Sequence, residues 1–202
     1  MPLWLAANPL ILASKSATRR ALLMGAGVAV EVRPADIDER VVEHKAGAAE
    51  PGAAAVLLAR AKAIAMAKQL PGRLVLGADQ TLALGSQRFS KPANRAEAAA
   101  QLRALRGRTH ALHSALALVR DGKVIFEYAD MARLTMRGFS DKFLEDYLDA
   151  AGNAVTASVG GYQLEGPGIQ LFERIEGDYF TILGLPLLPL LNFLRQERYL
   201  AE

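Results

Sequence analysis

The sequence predicts an α/β protein, and three observations carry that expectation. Short apolar runs of strand length alternate with helix-forming segments, the order that builds a sheet covered by helices. The 202 residues are 51% hydrophobic and 22% charged, which supplies a substantial core and rules out a disordered or fibrous chain. Two long strand-like runs meet at Asp121-Gly122, a pair favoured in two-residue hairpins. No repeat, low-complexity segment or dividing linker interrupts the chain, so one domain over 1–202, with two lobes, is expected.

Each element has a local reason. Residues 9–13 (PLILA) read as a short buried strand, followed by a polar turn at 14–16. Residues 18–24 read as a helix stopped by Gly25 and Gly27, and 28–32 alternate as a strand. The acidic stretch 36–52 reads as irregular. Residues 53–70 are strong helix formers with apolar positions at helical spacing, closed by Pro71 and Gly72. A strand over 74–77 runs into Asp79, and 82–84 with 87–89 suggest a hairpin through Gly85-Ser86. Asn94 with Glu97 three residues on forms a capping-box pattern for a helix to Leu105. The two long strands follow, then Ser140 as the cap of a helix over 141–150. A glycine-rich stretch, VGGYQLEGPG, leads to IQLFERIEGDYF, and a helix near 187–196 closes the chain.

Composition excludes several chemistries. With no cysteine there is no disulfide, thiolate nucleophile or cysteine-based metal site. No P-loop string and no G-x-G-x-x-G after a strand is present. His110 and His113 stand three apart in a strand and point to opposite faces, a poor chelating pair, and all three histidines read as structural or surface residues. Trp4 reads as a packing residue. The longest apolar stretch, 182–194, has 13 residues and two prolines, so a soluble, cytoplasmic protein without membrane contact is expected. A net charge of +3 without a basic stripe argues against nucleic acid as partner.

The charge is segregated along the chain. Residues 14–20 hold Lys15, Arg19 and Arg20 with no acid, and Ser14 and Ser16 sit just before a helix start. Hydroxyls, free amides and paired arginines at a strand-to-helix turn suit a phosphate chain. The alternative is that Ser16 only caps the helix while both arginines face water. Between 36 and 43 the sign reverses, with Asp36, Asp38, Glu39 and Glu43 against a single Arg40. From 51 to 78 no acid occurs, while Arg60, Lys62, Lys68 and Arg73 do, which suits either a solvated helix side or the wall of an anion site. Asp79 ends the apolar string VLGAD, and the edge beyond a strand's carboxyl end is where open α/β sheets bind ligands. Structural turn-capping is the other reading of that residue. Lys91, in FSKP, is held near a rigid proline that aims its ammonium.

Taken in order, these strings resemble the Maf-like nucleotide pyrophosphatases over nearly the whole chain. The matching pieces are LILASKSATRR at 10–20, IDE at 37–39, LARAKA at 58–63, GADQT at 77–81, KP at 91–92, LRALRGRTH at 102–110, GGYQLEGPG at 160–168 and IEGDYFTILGLPL at 175–187. The resemblance implies an elongated mixed sheet with flanking helices and two lobes around a central cleft, related to the ITPase-type architecture. It implies hydrolysis of a nucleoside triphosphate to the monophosphate and pyrophosphate with Mg²⁺ or Mn²⁺, and it leaves a homodimer open. The family's catalytic aspartate falls on Asp79, its early acidic residue on Glu39 and its active-site lysine on Lys91, with Asp79 and Glu39 also toward the metal. Ser14, Ser16, Arg19 and Arg20 fall on the phosphate-binding positions, and Lys62 on a recurrent family lysine. Gln80 and Glu165 stand where a base-reading amide and carboxylate are expected, and resemble the subgroup linked to methylated guanine nucleotides. The GGY string resembles the dTTP/UTP subgroup instead. The family has also been linked to arrest of cell division, so a regulatory nucleotide-binding protein is the alternative function.

Overall fold

In the computed structural model, residues 3–46 and 50–201 are described, with the side chains of 43–46 outside that description. The described residues include seven strands: β1 (Leu10–Leu12), β2 (Val30–Val32), β3 (Val75–Leu84), β4 (Gln87–Phe89), β5 (Thr109–Arg120), β6 (Lys123–Met136) and β7 (Phe172–Glu176). The helices are α1 (Ala17–Gly25), α2 (Glu39–Ala46), α3 (Pro51–Ala67), α4 (Arg95–Leu105), α5 (Asp141–Ala151), α6 (Tyr179–Ile182) and α7 (Leu187–Gln196). One mixed sheet has the order β2-β1-β3-β5-β6-β7, with β4 on β3. The contacts divide into two compact units. The first comprises 1–80, 113–130 and 179–202, and the second 81–112 and 131–178, so β3, β5 and β6 each contribute to both.

In the first unit β1 pairs in parallel with β2 on one side and β3 on the other, at Leu10↔Val30 and Leu12↔Leu76. Successive side chains of a strand face opposite ways, and both faces here are covered. Leu10, Leu12, Leu76, Leu116 and Leu118 pack against α7 through Leu187, Leu190 and Leu194. Ile11, Val75, Ala117 and Val119 pack against α3 through Ala63, Met66 and Ala67. Double coverage explains why β1 reads as an unbroken apolar run rather than an alternation. Gly77 permits the close approach of α3, because a Cβ there would run into the Ala59 carbonyl and the Ala63 backbone. Trp4 is buried and stacks on Tyr199 with ring centroids 6.1 Å apart.

Local chemistry explains most boundaries. Ser16 caps α1 by accepting from the Arg19 N–H at 3.2 Å, and Ser140 caps α5 by accepting from Phe143 at 3.1 Å. Asn94 accepts from the Glu97 N–H at 2.9 Å while the Glu97 carboxylate takes the Ala93 N–H at 2.8 Å, so the capping box closes one residue further out. Asp121 (φ 51°) and Gly122 (φ 75°) both adopt the left-handed region, as a type I′ hairpin turn requires.

Two expectations are corrected. The stretch read as irregular contains α2: Asp38 accepts the Val41 N–H at 3.1 Å and Glu39 occupies the first turn, where a carboxylate suits the helix dipole. Residues 47–49 of that stretch, and the His44 side chain, fall outside the described residues. The strand expected to stop before Asp79 instead runs unbroken from Val75 to Leu84.

The second unit packs α4 and α5 with three 3₁₀ turns at 152–156, 159–161 and 167–171. β7 lies antiparallel to β6. Inside it, His110 Nε2 and the Tyr162 hydroxyl share a 2.7 Å hydrogen bond, with Phe172 edge-on to Tyr162. Among the described residues no helix is long and apolar enough to cross a membrane.

Candidate active site

The site begins where β1 ends. The last β1–β3 pair is Leu12↔Leu76, so three residues later Asp79 has no β1 neighbour beside it. The chain leaving β1 turns into α1 through Ser14 and Ser16 there, the carboxyl-end geometry at which α/β sheets bind ligands. The mid-strand position of Asp79 therefore keeps the expected opening, supplied by β1 rather than by the end of β3.

Asp79 is 8% exposed and faces charged side chains. Lys62, from α3, brings Nζ to 2.5 Å from Asp79 Oδ1 and 2.7 Å from Glu39 Oε1, joining a buried and a half-exposed carboxylate through one ammonium. Burial pushes the Asp79 carboxyl above the ordinary range. The Lys62 and Arg19 charges oppose that rise, the Lys62 hydrogen bond adds to them, and Glu39 reinforces it. A carboxylate raised in this way holds a proton more readily than a surface aspartate, the property of a general base.

Arg19 and Arg20, equivalent in sequence, have different surroundings. The Arg19 side chain is buried and donates from Nε to the Gly184 carbonyl at 2.7 Å, and from Nη1 to Ser14 Oγ at 3.1 Å and the Ala78 carbonyl at 2.9 Å. Burial lowers its affinity for its proton, against the opposing pull of Asp79 and Glu39. Arg19 thus ties β1, β3 and the Gly184 turn together, while Arg20 and Lys15 lie exposed without side-chain partners among the described residues. The three acceptors that Arg19 holds through Nε and Nη1 are all protein atoms.

Gln80 is held by protein atoms as well. Its Nε2 lies 3.0 Å from Ser114 Oγ, 3.1 Å from the Thr181 carbonyl and 2.9 Å from the Ile182 carbonyl, so its N–H groups brace the turn that presents Gly184 to Arg19. Ser114 donates to the same Thr181 carbonyl at 2.7 Å. Nothing in the sequence signals this bracing, because its partners lie 34 to 102 residues away.

The basic stretch of 51–78 is largely neutralised. Arg60 makes a bidentate pair with Glu127 at 2.8 Å, and Arg73 pairs with Glu31 at 2.8 Å. Lys62 of that set pairs with Asp79 and Glu39. Lys91 and Glu165 belong to the second unit, Lys91 exposed after β4 beside buried Pro92, and Glu165 exposed in the turn before Gly166. His110 is buried within that unit, and half-buried His113 packs against Gly52 in the first.

Among the described residues, no group of three His, Asp or Glu side chains is placed to hold a metal ion. The two carboxylates converging on one ammonium fit the other mode, in which one or two carboxylates bind Mg²⁺ and substrate phosphates with water complete the shell.

A family model described as "Maf-like protein" matches residues 9–197. A "Nucleoside triphosphate pyrophosphatase" of Rhodopseudomonas palustris is 58% identical over 201 residues, covering 100% of both chains. A "7-methyl-GTP pyrophosphatase" of Rhizobium etli is 54% identical over 190 residues, covering 93% of this chain and 95% of that one. A solved HAM1 protein from Coxiella burnetii aligns over 63% of this chain and 72% of that one, at 19% identity and a TM-score of 0.44.

Proposed function

Because the chain belongs to the Maf-like protein family, we propose that it is a nucleoside triphosphate pyrophosphatase, releasing the monophosphate and pyrophosphate. The observation that carries this is Asp79, a buried carboxylate with raised proton affinity beside an anion-suited helix start. Asp79 takes a proton from a water attacking the α-phosphorus, the bond to the bridging oxygen breaks, and pyrophosphate leaves with that electron pair. Lys15, Arg20 and the free amides of the first turn of α1 face the polyphosphate, where positive charge and N–H donors stabilise the charge that develops. Ser14 and Ser16 shape that turn through their hydroxyls, Ser14 accepting from Arg19 and Ser16 capping α1. Lys62 keeps Asp79 and Glu39 from repelling each other. Asp79 and Glu39 would hold a divalent cation, Mg²⁺ or Mn²⁺, which supplies further neutralisation of the phosphates. Lys91 and Glu165, both in the second unit, are further candidates for contact with the nucleotide on the strength of the resemblance alone.

For the substrate we favour a purine nucleotide carrying a modification such as 7-methylguanine, supported by the relative so named and by the carboxylate at Glu165. The test is a panel of 7-methyl-GTP, GTP, dTTP and UTP with Mg²⁺ or Mn²⁺ and detection of pyrophosphate. Asp79→Asn is expected to lower turnover about 10²–10⁴-fold while folding normally. Wild-type turnover in that variant would remove Asp79 from the chemistry. Nucleotide binding by the wild-type protein without pyrophosphate release would favour a regulatory binding protein instead.

A further inference from the structure

A cavity of about 170 Å³ lies in the first unit, lined by Trp4, Asn8, Pro9, Arg73, Arg120 and Tyr199 among others. It sits at the start of β1 and β3, whereas Ser14 and Asp79 lie past the end of β1. Pro9 and Ser14 are five residues apart along extended chain, about 16 Å. The cavity is therefore separate from the catalytic centre.

Its chemistry is that of an anion site. Arg120, the last residue of β5, places its guanidinium carbon 5.3 Å from the Tyr199 ring centroid, and Tyr199 in turn stacks on Trp4. A stacked guanidinium uses its π face and leaves its in-plane N–H fork available for a carboxylate or phosphate. Among the described residues the Arg120 side chain makes no hydrogen bond and no ion pair, and its Nε is buried without a partner. The Nε of Arg73 is likewise buried and unpartnered among the described residues. Arg73 Nη2 is already paired with Glu31 at 2.8 Å and donates to the Pro9 carbonyl at 3.1 Å, so Arg73 offers the cavity its Nε, while Asp121 accepts from the Gly72 N–H at 2.7 Å and makes no pair with Arg120. A buried N–H without a partner is unfavourable, and an anion in the cavity would supply the bond that Arg120 Nε lacks.

We propose that this cavity is a binding site for a small oxyanion, a carboxylate or phosphate held by Arg120 and Arg73 against the Trp4–Tyr199 stack. Its volume suits a ligand of benzene to benzoate size, not a nucleoside triphosphate. Trp4 is the single tryptophan of the chain, so its fluorescence reports this site alone.

The experiment titrates the full chain with inorganic phosphate and, separately, with benzoate, against sodium chloride at matched ionic strength. A saturable change in Trp4 emission is expected with one probe, which identifies the source class, and not with chloride. Arg120→Gln is expected to weaken that binding about tenfold or more, since a charge-assisted fork is lost. Arg120→Lys, which keeps the charge but not the fork, is expected to fall between and serves if the glutamine variant does not fold. Absence of saturation with both probes, or unchanged curves in the variant proteins, would overturn the proposal.

Discussion

Replacing Arg19 by methionine separates its role from that of Arg20. The substitution keeps a long side chain but strands the Gly184 carbonyl, the Ala78 carbonyl and the Ser14 hydroxyl, which accept at 2.7, 2.9 and 3.1 Å. Each bond to a charged donor contributes about 1.5–3 kcal/mol, and losing a buried cation returns part of the desolvation that opposes it. The net loss is about 2–5 kcal/mol. Against a total stability of about 5–15 kcal/mol that is a large share, and for a chain of this size it lowers Tm by about 4–20 °C. Arg20→Met, one residue on and exposed, is expected to stay within about 0.5 kcal/mol of wild type. Urea unfolding of both variants, followed by circular dichroism, measures the contrast. An Arg19→Met midpoint matching that of Arg20→Met would refute the bracing role.

The remaining predictions concern the same two units. Lys62→Met removes a charge that holds the Asp79 carboxyl down, so the acid limb of the kcat/KM profile should move to higher pH; an unmoved limb would detach Lys62 from Asp79. A carboxyl whose folded pKa is raised binds protons better in the folded state, so its contribution to stability is lost as pH rises from the unfolded carboxyl range. Asp79→Asn should accordingly be at least as stable as wild type at pH 7 in urea unfolding. His110, buried against Tyr162, has its pKa pushed down to about 4, so the folded state loses stability as pH falls below about 6.5, by about 3 kcal/mol at most. Denaturant midpoints between pH 7 and 4 should show this, and His110→Gln should flatten it. Gly77→Ala drives a methyl into the backbone of α3 and should cost about 3 kcal/mol or more, visible as lost soluble yield.

What could be read from the sequence was what depends on neighbouring residues. The Ser16, Asn94 and Ser140 caps and the Asp121-Gly122 turn are satisfied within a few residues, so their patterns carry their own explanation. The length of β3 was hidden because Asp79, Gln80 and Thr81 interrupt its apolar run with polar side chains, Asp79 paired with Lys62 and Gln80 bracing the Gly184 turn. α2 was hidden because its start signal, Asp38 followed by Glu39, stands among other acids that read as solvated loop. The division of labour between Arg19 and Arg20, and the bracing by Gln80, depend on Gly184, Thr181 and Ile182 far along the chain, and no local pattern encodes such partners.

The bond from Arg19 to Gly184 spans 165 residues. During synthesis at about 5–20 residues per second, the serine–arginine turn exists for about 10–30 s before that acceptor has been made. Until then the guanidinium has no Gly184 carbonyl to hold, and the Ser14–Ser16 turn lacks that anchor. A nascent chain that already carries Ser14, Ser16, Arg19 and Asp79 is thus still without the bond that ties the start of α1 to the Gly184 turn.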